Sequence, residues 1–282
     1  VINIARNSVL TYLSIQFSNI SILCNFFSNR PFVRFILLLL FEDPLRRRIL
    51  NYLLLFLTNV SNIKDEVTNE ITSSLILLVT NSDHDLQNKK GIEMMTSVLE
   101  IANIVLKKVP AITQTFEPLS ILFCNNISQV PIKEDYLPLL KIALKFLKFT
   151  TNTRMLKFNE ILNLEKGINN ICGQEPDDEI EQNLYNLFTN DENNNINKPS
   201  LVYLYLQTFI NSNKLDECFV KLIKLCMNNL ENCFVLHDGE IDLLILNYLD
   251  KWRMDSSISL TVLRHSLQLI ELIESNLCSY EI

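Results

Sequence analysis

Histidine and cysteine are the side chains here that could act as bases, nucleophiles or metal ligands, and the sequence holds three histidines and seven cysteines. Cys233 and His237 are four residues apart, so a helix would place both on one turn, where they could hold a metal ion. Zinc needs two further ligands at a defined spacing, and no second pair of this kind occurs in the sequence. Asp238 and Glu240 flank a glycine directly after His237, which favours a turn between two helices with acidic caps. We therefore predict no metal site and no cofactor.

The other two histidines lie in contexts that do not suggest catalysis. His84 stands in the polar segment 82–85, which is typical of a surface turn. His265 follows Arg264 in an amphipathic pattern and is predicted on its polar flank. A cysteine nucleophile would need a neighbour that lowers the pKa of the thiol, and no cysteine here has such a sequence context. We predict no catalytic residue and a protein that is not an enzyme.

Glycine spacing excludes the common phosphate-binding loops. Gly91, Gly167, Gly173 and Gly239 are each isolated, so neither a G-x-G-x-x-G motif nor a P-loop can be formed. Strand-rich and Rossmann-like folds also need more glycine, at tight turns and close backbone approaches. Helices can instead end on asparagine in the left-handed conformation. Asparagine pairs stand at three predicted helix ends, 125–126, 169–170 and 228–229, although codon usage in an AT-rich genome would explain them equally well.

One basic surface is the strongest candidate for binding. Lys141, Lys145 and Lys148 recur at i, i+4 and i+7, on one face of a predicted helix, and Arg154 and Lys157 follow. Such a face could attract an acidic partner or acidic lipid headgroups. The alternative is an ordinary solvated helix face with apolar residues behind it.

Composition limits the classes of partner. The chain has 282 residues and a net charge of −7, with a pI of about 5.1, which argues against a nucleic-acid-binding protein. The cysteine count is odd and no C-x-x-C occurs, so we interpret the cysteines as reduced core residues of a cytoplasmic protein. The expected partners are proteins, with peripheral attachment to endomembranes through a parent protein as a further expectation.

Apolar residues recur at helical spacing along almost the whole chain, as in Leu137, Leu140, Leu144 and Leu147. Pro31, Pro44, Pro110 and Pro199 stand where first-turn prolines belong. The predicted helices are 3–28 (as one helix or two), 31–41, 44–60, 63–80, 86–107, 110–128, 134–151, 154–164, 177–190, 199–212, 214–231, 238–252 and 256–278.

Short connections between successive helices predict antiparallel neighbours, and two helices per unit give a period in the armadillo and HEAT range. We predict an all-α protein, an armadillo/HEAT-like α-solenoid of antiparallel helix pairs, with a compact helical bundle as the alternative. Residues 1–282 are expected to form a single solenoid segment, with a sub-array boundary conceivable in the polar loop 190–198. Because the chain starts at Val1 without methionine and stops within a predicted helix, we expect a segment of a larger protein.

Two apolar runs in the first sixty residues raise the question of membrane spans. Residues 35–41 are continuously apolar and residues 52–57 are nearly so. Neither approaches the roughly 20 residues that span a bilayer, so we predict two buried helices. The aromatic residues Phe32, Phe35, Tyr203, Tyr205 and Trp252 could line a concave groove or fill the core, which sequence does not separate, and the core is the default assignment.

One segment resembles a known family. The run 232–252, NCFVLHDGEIDLLILNYLDKW, is similar to a part of the large Beige/BEACH proteins of protists that lies upstream of their lectin-like and BEACH domains. Residues 31–57 are similar in a weaker way. The resemblance implies an armadillo-like region of a large peripheral scaffold that acts in membrane trafficking. It covers no BEACH or PH module, so it transfers no functional residue.

The function expected from these observations is a non-catalytic scaffold or protein-interaction segment of a Beige/BEACH-type trafficking protein. The first alternative is a nuclear-transport or adaptor solenoid, although a single tryptophan argues against an importin-α-like groove. The second is an all-α enzyme that binds a metal diphosphate. Such an enzyme needs aspartate-rich motifs on its helices to hold the metal ions and the diphosphate. The only segment that comes near such a motif is 177–179, and the sequence has no second copy of it.

Overall fold

The computed structural model describes residues 8, 11–81, 86–132, 134–173, 175–189, 194–252 and 258–278. Within these ranges the regular elements are all helices and no β-strand is present. One isolated antiparallel bridge pairs Thr189 with Ile196. The predicted all-α class is therefore confirmed.

Fifteen α-helices cover the described ranges. The described part of α1 is residues 11–16. The others are α2 (Ile20–Phe27), α3 (Arg30–Leu38), α4 (Asp43–Asn59), α5 (Asp65–Asn81), α6 (Lys89–Lys108), α7 (Glu117–Asn126), α8 (Leu137–Thr150), α9 (Phe158–Cys172), α10 (Asp178–Phe188), α11 (Pro199–Phe209), α12 (Leu215–Asn228), α13 (Glu231–Asp238), α14 (Ile241–Trp252) and α15 (Leu260–Cys278). Short 3₁₀ helices occupy Leu39–Phe41, Pro110–Phe116, Ile127–Gln129 and Glu134–Tyr136.

The chain divides into two compact units. The first comprises Val1–Phe123 with Asn152–Arg154, and the second comprises Cys124–Thr151 with Met155–Ile282. The division thus falls within α7 and not in the polar loop 190–198, which belongs to the second unit. Residues 190–193 of that loop lie outside the described residues.

Helices of the first unit pack chiefly against the helix two positions further along: α2 on α4, α3 on α5 and α4 on α6. Aromatic side chains fill the contact between α2 and α4, where the rings of Phe27 and Phe56 stack at 5.3 Å. Phe17 lies edge-on to Tyr52 at 5.0 Å. Edge-on and offset stacked pairs of this kind add to the free energy gained by burying the rings.

In the second unit the same two-step contacts join α8 to α10 and α9 to α11. Towards the end of the chain the pattern changes, because α12, α13 and α14 all contact α15. An aromatic chain of Phe188, Tyr205 and Phe209, with ring centroids 5.3 and 5.4 Å apart, forms the centre of the core. All three side chains are fully buried.

Helix starts largely follow the sequence signals. Prolines occupy the first turn of α3, α4, α11 and the 3₁₀ helix Pro110–Phe116, as predicted. Acidic residues stand in the first turns of α5 and α10, where the positive end of the helix dipole stabilises them. The α6 helix is capped by Asn88, whose side chain accepts a hydrogen bond from the Gly91 N–H at 2.8 Å.

Several predicted helix boundaries are wrong. The first predicted helix is interrupted at Asn19, which caps α2, in agreement with the two-helix alternative. The helix predicted at 154–164 instead runs from Phe158 to Cys172, and α13 is a separate helix that the sequence did not indicate. The asparagine pairs do not adopt the left-handed conformation: Asn126 and Asn229 have negative φ, and α9 ends on Gly173 at φ +62°.

Gly167 lies inside α9, three residues beyond the predicted end of that helix. The glycine is buried against the 3₁₀ helix Ile127–Gln129, and a Cβ atom on it would lie 2.8 Å from the carbonyl oxygen of Ile127. Close helix packing at this position therefore excludes a side chain, so a residue that looks like a helix breaker is required by tertiary structure.

We expect Gly167→Ala to lower the free energy of unfolding by about 1–3 kcal/mol because the methyl group overpacks this contact. Helix propensity acts in the opposite direction, by about 1 kcal/mol, so an increase in stability would contradict the packing argument. Urea unfolding monitored by the fluorescence of Trp252, the single tryptophan, measures the difference. Asn169→Ala, at an exposed position of the same helix, is the control and should cause no loss.

Candidate functional site

The predicted basic surface is partly neutralised within the second unit. Lys141 Nζ lies 2.6 Å from Asp177 Oδ2 and 2.9 Å from Glu179 Oε2. Lys145 Nζ lies 2.7 Å from the other oxygen of Glu179. Two of the three lysines on this face of α8 are therefore already paired with carboxylates from the start of α10.

Local structure holds these carboxylates in place. Asp177 is the N-cap of α10 and accepts a hydrogen bond from the Ile180 N–H at 2.8 Å. Partial burial acts to raise the pKa of Asp177, but hydrogen bonds from Lys141 and the Ile180 N–H hold it below its usual value. Hydrogen bonds from Lys145 and Lys141 lower the pKa of Glu179. The acidic segment 177–179 thus serves as a helix cap and as an ion-pair partner of α8.

The other members of the predicted surface are dispersed. Arg154 belongs to the first unit, where its Nη2 donates to Ser120 Oγ at 3.3 Å. Lys157 precedes α9, and its backbone N–H donates to Glu160 Oε2 at 2.7 Å. Lys148 is half-buried on α8, and its charge, after burial, contributes to the lowered pKa of Lys198. The hypothesis of a surface for acidic partners or lipid headgroups stays a prediction.

The ion pairs predict a pH dependence. Because the pKa values of Asp177 and Glu179 are depressed in the folded chain, their stabilising contribution is present above the ordinary carboxylate range and is lost as the pH falls through the folded values. We expect NMR titration of the side-chain carboxyls to give pKa values below those of exposed carboxyls. Both should rise in Lys141→Met, whereas the exposed Lys166→Met should leave them unchanged.

A buried polar network lies deeper in the second unit. The carboxylate of Glu181, on α10, accepts hydrogen bonds from the Tyr205 hydroxyl on α11 and from Lys221 on α12. The Lys221 ammonium also lies 5.6 Å from the centre of the Tyr185 ring, in the range of a cation–π contact. Side chains of three helices, α10, α11 and α12, therefore supply one another's hydrogen-bond and cation–π partners in this network.

This network does not activate a nucleophile. Burial raises the pKa of the adjacent Cys218 thiol to about 12, and burial likewise raises the pKa of Tyr205. Both groups are therefore protonated at neutral pH, whereas a catalytic thiol needs a lowered pKa. The arrangement is one of structural hydrogen bonds between α10, α11 and α12.

The histidines take roles that their sequence contexts only partly indicate. His84 lies outside the described residues. His265 Nδ1 lies 2.7 Å from Asp216 Oδ1. His237 lies in the last turn of α13, next to the predicted turn, but it does not pair with Cys233. The side chain of Cys233 is fully buried and contacts Cys226 and Asn276, while His237 Nδ1 lies 2.6 Å from Asp242 Oδ2.

Cysteines match the interpretation as reduced core residues for most of the described positions. Cys124, Cys218, Cys226 and Cys233 are buried free thiols. Two further free thiols, Cys24 and Cys172, are half-buried. Burial raises the pKa of Cys172 to about 12, so this thiol is not a reactive thiolate at neutral pH.

An exposed aromatic face on the first unit contradicts the assignment of residues 35–41 to a buried helix. This α3 face consists of Phe32, Phe35, Leu38 and Phe41, with Arg34 among them. Phe35 is 55% exposed and Leu38 is 63% exposed. The default assignment to the core is confirmed for Tyr205 and Trp252 but is wrong for Phe32 and Phe35.

The α3 face borders a shallow groove of about 500 Å³ that Arg30, Pro31, Arg34, Phe35 and Leu38 line. The opposite side of α3, with Val33, Ile36 and Leu37, is buried. Arg30 donates to Glu70 at 2.9 Å, whereas Arg34 forms no ion pair with any residue that the structure describes. The spacing 31, 34, 35, 38 is the signal that could have identified this face from sequence, since it is one stripe of a helix.

Over the described ranges, no single helix has both the length and the apolar composition needed to cross a membrane. The pair formed by Ile20–Phe27 and Arg30–Phe41 passes the same test of length and composition only when taken together, and it is bent by 95° at its break.

Comparison with known proteins adds no relative. No protein-family model matches the chain, and neither the curated proteins nor the solved structures contain a significant match to it.

Proposed function

We propose that this chain is a non-catalytic scaffold segment whose first unit binds an acidic amphipathic helix of a partner protein on the α3 face. The observation that carries the proposal is the exposure of Phe35 and Leu38 beside Arg34, which is exposed and has no ion-pair partner among the residues that the structure describes. Large apolar side chains that line a groove together mark interaction sites more often than single exposed residues do.

Charge and shape favour a helix as the occupant. Grooves between helices accept an amphipathic helix through side chains at i, i+3, i+4 and i+7, and the groove beside α3 has apolar walls at Phe35 and Leu38. Arg34 lies among them, so an acidic residue on the incoming helix gains an ion pair at the rim.

A bilayer is the competing occupant, because the pair Ile20–Phe27 and Arg30–Phe41 together passes the test of length and composition for a membrane span. Glu66 and Glu70 of α5 pair with Arg30, so Arg34 supplies the positive charge at the groove. One cation adds only about 1 kcal/mol of attraction to an anionic membrane surface, whereas a single acidic residue of a helix can pair with it directly. The observations therefore favour a protein over a lipid surface.

Synthetic helices test the proposal. Three peptides with the same apolar face and an acidic, neutral or basic polar face are titrated against the whole chain by fluorescence anisotropy. We expect the acidic peptide to bind at least tenfold more tightly than the basic one. Phe35→Ser with Leu38→Ser should weaken binding tenfold or more, about 1.4 kcal/mol or above, and Arg34→Glu should reverse the charge preference.

Leu267→Ser, at an exposed apolar position of α15, is the matched control and should bind like the unchanged chain. Equal binding of the three peptides, or equal loss in the Leu267→Ser variant, would contradict the proposal. Tight binding to anionic vesicles that the α3 variants abolish, without peptide binding, would assign the face to membranes instead.

The same proposal includes an armadillo/HEAT-like stack. Its support is the two-step packing within each unit, α2 on α4 and α3 on α5 in the first, α8 on α10 in the second. Small-angle scattering distinguishes it from a compact bundle. A compact chain of this length has a radius of gyration of about 19 Å, and a stack should exceed that clearly.

The parent protein is proposed to be a large Beige/BEACH-type scaffold of membrane trafficking in the cytoplasm. Its support is the sequence resemblance over residues 232–252 alone. Cell fractionation with an antibody against this segment tests it: a much larger protein that co-sediments with vesicles is expected. A protein of transport-receptor size that enriches at the nuclear envelope would favour the adaptor or nuclear-transport alternative.

A further inference from the structure

The turn between α13 and α14 is built by close packing. Gly239 lies against Pro199, and a Cβ atom on it would come within 3.2 Å of both the Pro199 ring and the Val235 carbonyl oxygen. Glu240 adopts the left-handed conformation at φ +57°, which costs a non-glycine residue about 1 kcal/mol or more. The Glu240 N–H closes the turn on the His237 carbonyl at 2.8 Å.

This turn brings three metal-ligating side chains together. Asp242, in the first turn of α14, is 2% exposed, and its Oδ2 lies 2.6 Å from His237 Nδ1. Glu274 approaches from α15. One ligand atom from each of the three side chains lies within 4.8 Å of the others. Among the described residues they form the single such group of three or more potential ligands.

The charges of the group favour a bound cation. Two carboxylates face one imidazole, and Asp238 adds a further negative charge nearby. A buried carboxylate such as Asp242 needs a positive partner, and a divalent ion meets this need more fully than one proton.

We propose that His237, Asp242 and Glu274 form a binding site for a divalent transition-metal ion, with zinc as the ion that the ligands fit best. One imidazole nitrogen with two carboxylate oxygens is a ligand set that zinc accepts, whereas magnesium and calcium prefer oxygen ligands alone. The site is open on the side of His237 and Glu274, which leaves room for water as a fourth ligand.

Zinc binding needs movement of two exposed side chains: the ligand atom of Glu274, which lies within 4.8 Å of the other two, must reach the tetrahedral separation, and so must His237. Tetrahedral zinc with ligands at about 2.0–2.1 Å separates two ligand atoms by roughly 3.3 Å, so His237 Nδ1 and Asp242 Oδ2 must move apart by less than an ångström. His237 can do so because its side chain is exposed. Asp242 keeps its orientation through the Leu243 N–H, which donates to Oδ1 at 2.9 Å.

The consequence for the protein is a structural link. An ion at this position would join the turn between α13 and α14 to α15. The α15 helix is also the helix that α12, α13 and α14 contact. Binding would therefore stabilise the end of the second unit, where the regular two-step packing changes.

Zinc titration of the whole chain, after removal of metal with a chelator, tests the site by calorimetry. We expect a stoichiometry of one, a dissociation constant in the micromolar range or below, and a higher unfolding temperature with zinc. Glu274→Gln, at an exposed position, should weaken binding at least tenfold. Glu271→Gln, an exposed residue on the same helix, is the matched control and should bind zinc as the unchanged chain does.

Cobalt substitution identifies the ligands. Visible bands without sulfur-to-cobalt charge transfer support the nitrogen and oxygen ligands proposed here, and these bands should disappear in His237→Gln. Charge transfer from sulfur, binding that Glu274→Gln does not change, or no binding at 100 µM zinc would overturn the site and leave His237 and Asp242 as an ion pair only. Tighter binding of calcium or magnesium than of zinc would overturn the choice of ion.

Discussion

Replacing Glu181 with leucine is expected to lower the free energy of unfolding of this chain by about 3 kcal/mol. Glu181 is 7% exposed and accepts hydrogen bonds from Tyr205 and Lys221. Without it, the buried Tyr205 hydroxyl and the Lys221 ammonium lose their shared acceptor. Breaking a buried ion pair from one side costs about 3–5 kcal/mol, and the low end applies because Lys221 is one-third exposed.

Urea unfolding followed by Trp252 fluorescence measures this loss, since Trp252 belongs to the second unit. The denaturant midpoint should fall with an unchanged slope. The triple variant Glu181→Leu, Lys221→Met, Tyr205→Phe should recover much of the stability, because it removes all partners together. A triple variant as unstable as Glu181→Leu alone would mean that lost packing, and not the unpaired groups, causes the effect.

Asn232→Ala should lower the free energy of unfolding by about 2–3 kcal/mol. The side chain is 1% exposed, its Oδ1 accepts the Ile196 N–H at 2.8 Å, and its Nδ2 donates to the carbonyl oxygens of Asn194 and Leu225 at 3.0 and 2.8 Å. Each buried backbone group that loses its partner costs about 1–3 kcal/mol. The losses from the three backbone groups are less than additive, because the loop that contains Asn194 and Ile196 can shift so that water takes the place of the lost partner.

Hydrogen exchange gives this prediction a local measurement. The Ile196 amide should exchange much faster in Asn232→Ala, and the unfolding midpoint reported by Trp252 should fall. Asn247→Ala, at an exposed position of α14, is the control and should be neutral or slightly stabilising, because alanine has the higher helix propensity. Unchanged protection of the Ile196 amide would show that another group accepts its hydrogen bond.

For the basic surface, residue spacing predicts which lysines share a helix face but not which carboxylates pair with them. The positions 141, 145 and 148 correctly place three lysines on one helix. The carboxylate that pairs with Lys145 is 34 residues away in sequence, and no local pattern indicates that α10 packs its acidic first turn against them. The acidic segment 177–179, interpreted as a helix start, is indeed one, and its second role as an ion-pair partner depends on the packing of α10 on α8.

The candidate metal ligands show the same limit. His237 and its position at a turn were evident from the glycine and acidic residues that follow it. Asp242 is five residues further on, within reach only because Glu240 takes a left-handed conformation that its sequence does not suggest. Glu274 joins them solely because α15 packs on α13 and α14.

The amino-acid sequence by itself determined that this protein is all-α, because helical periodicity, sparse glycine and first-turn prolines all act over a few residues. Tertiary structure alone decided what each helix face meets. Phe35 and Ile36 are equally apolar neighbours, yet Phe35 is exposed and Ile36 is buried. The difference arises from how α3 lies on α5, and contacts between helices depend on residues far apart in the chain. The spacing of the three histidines indicates no site, and His237 acquires its carboxylate neighbours only through the packing of α13, α14 and α15.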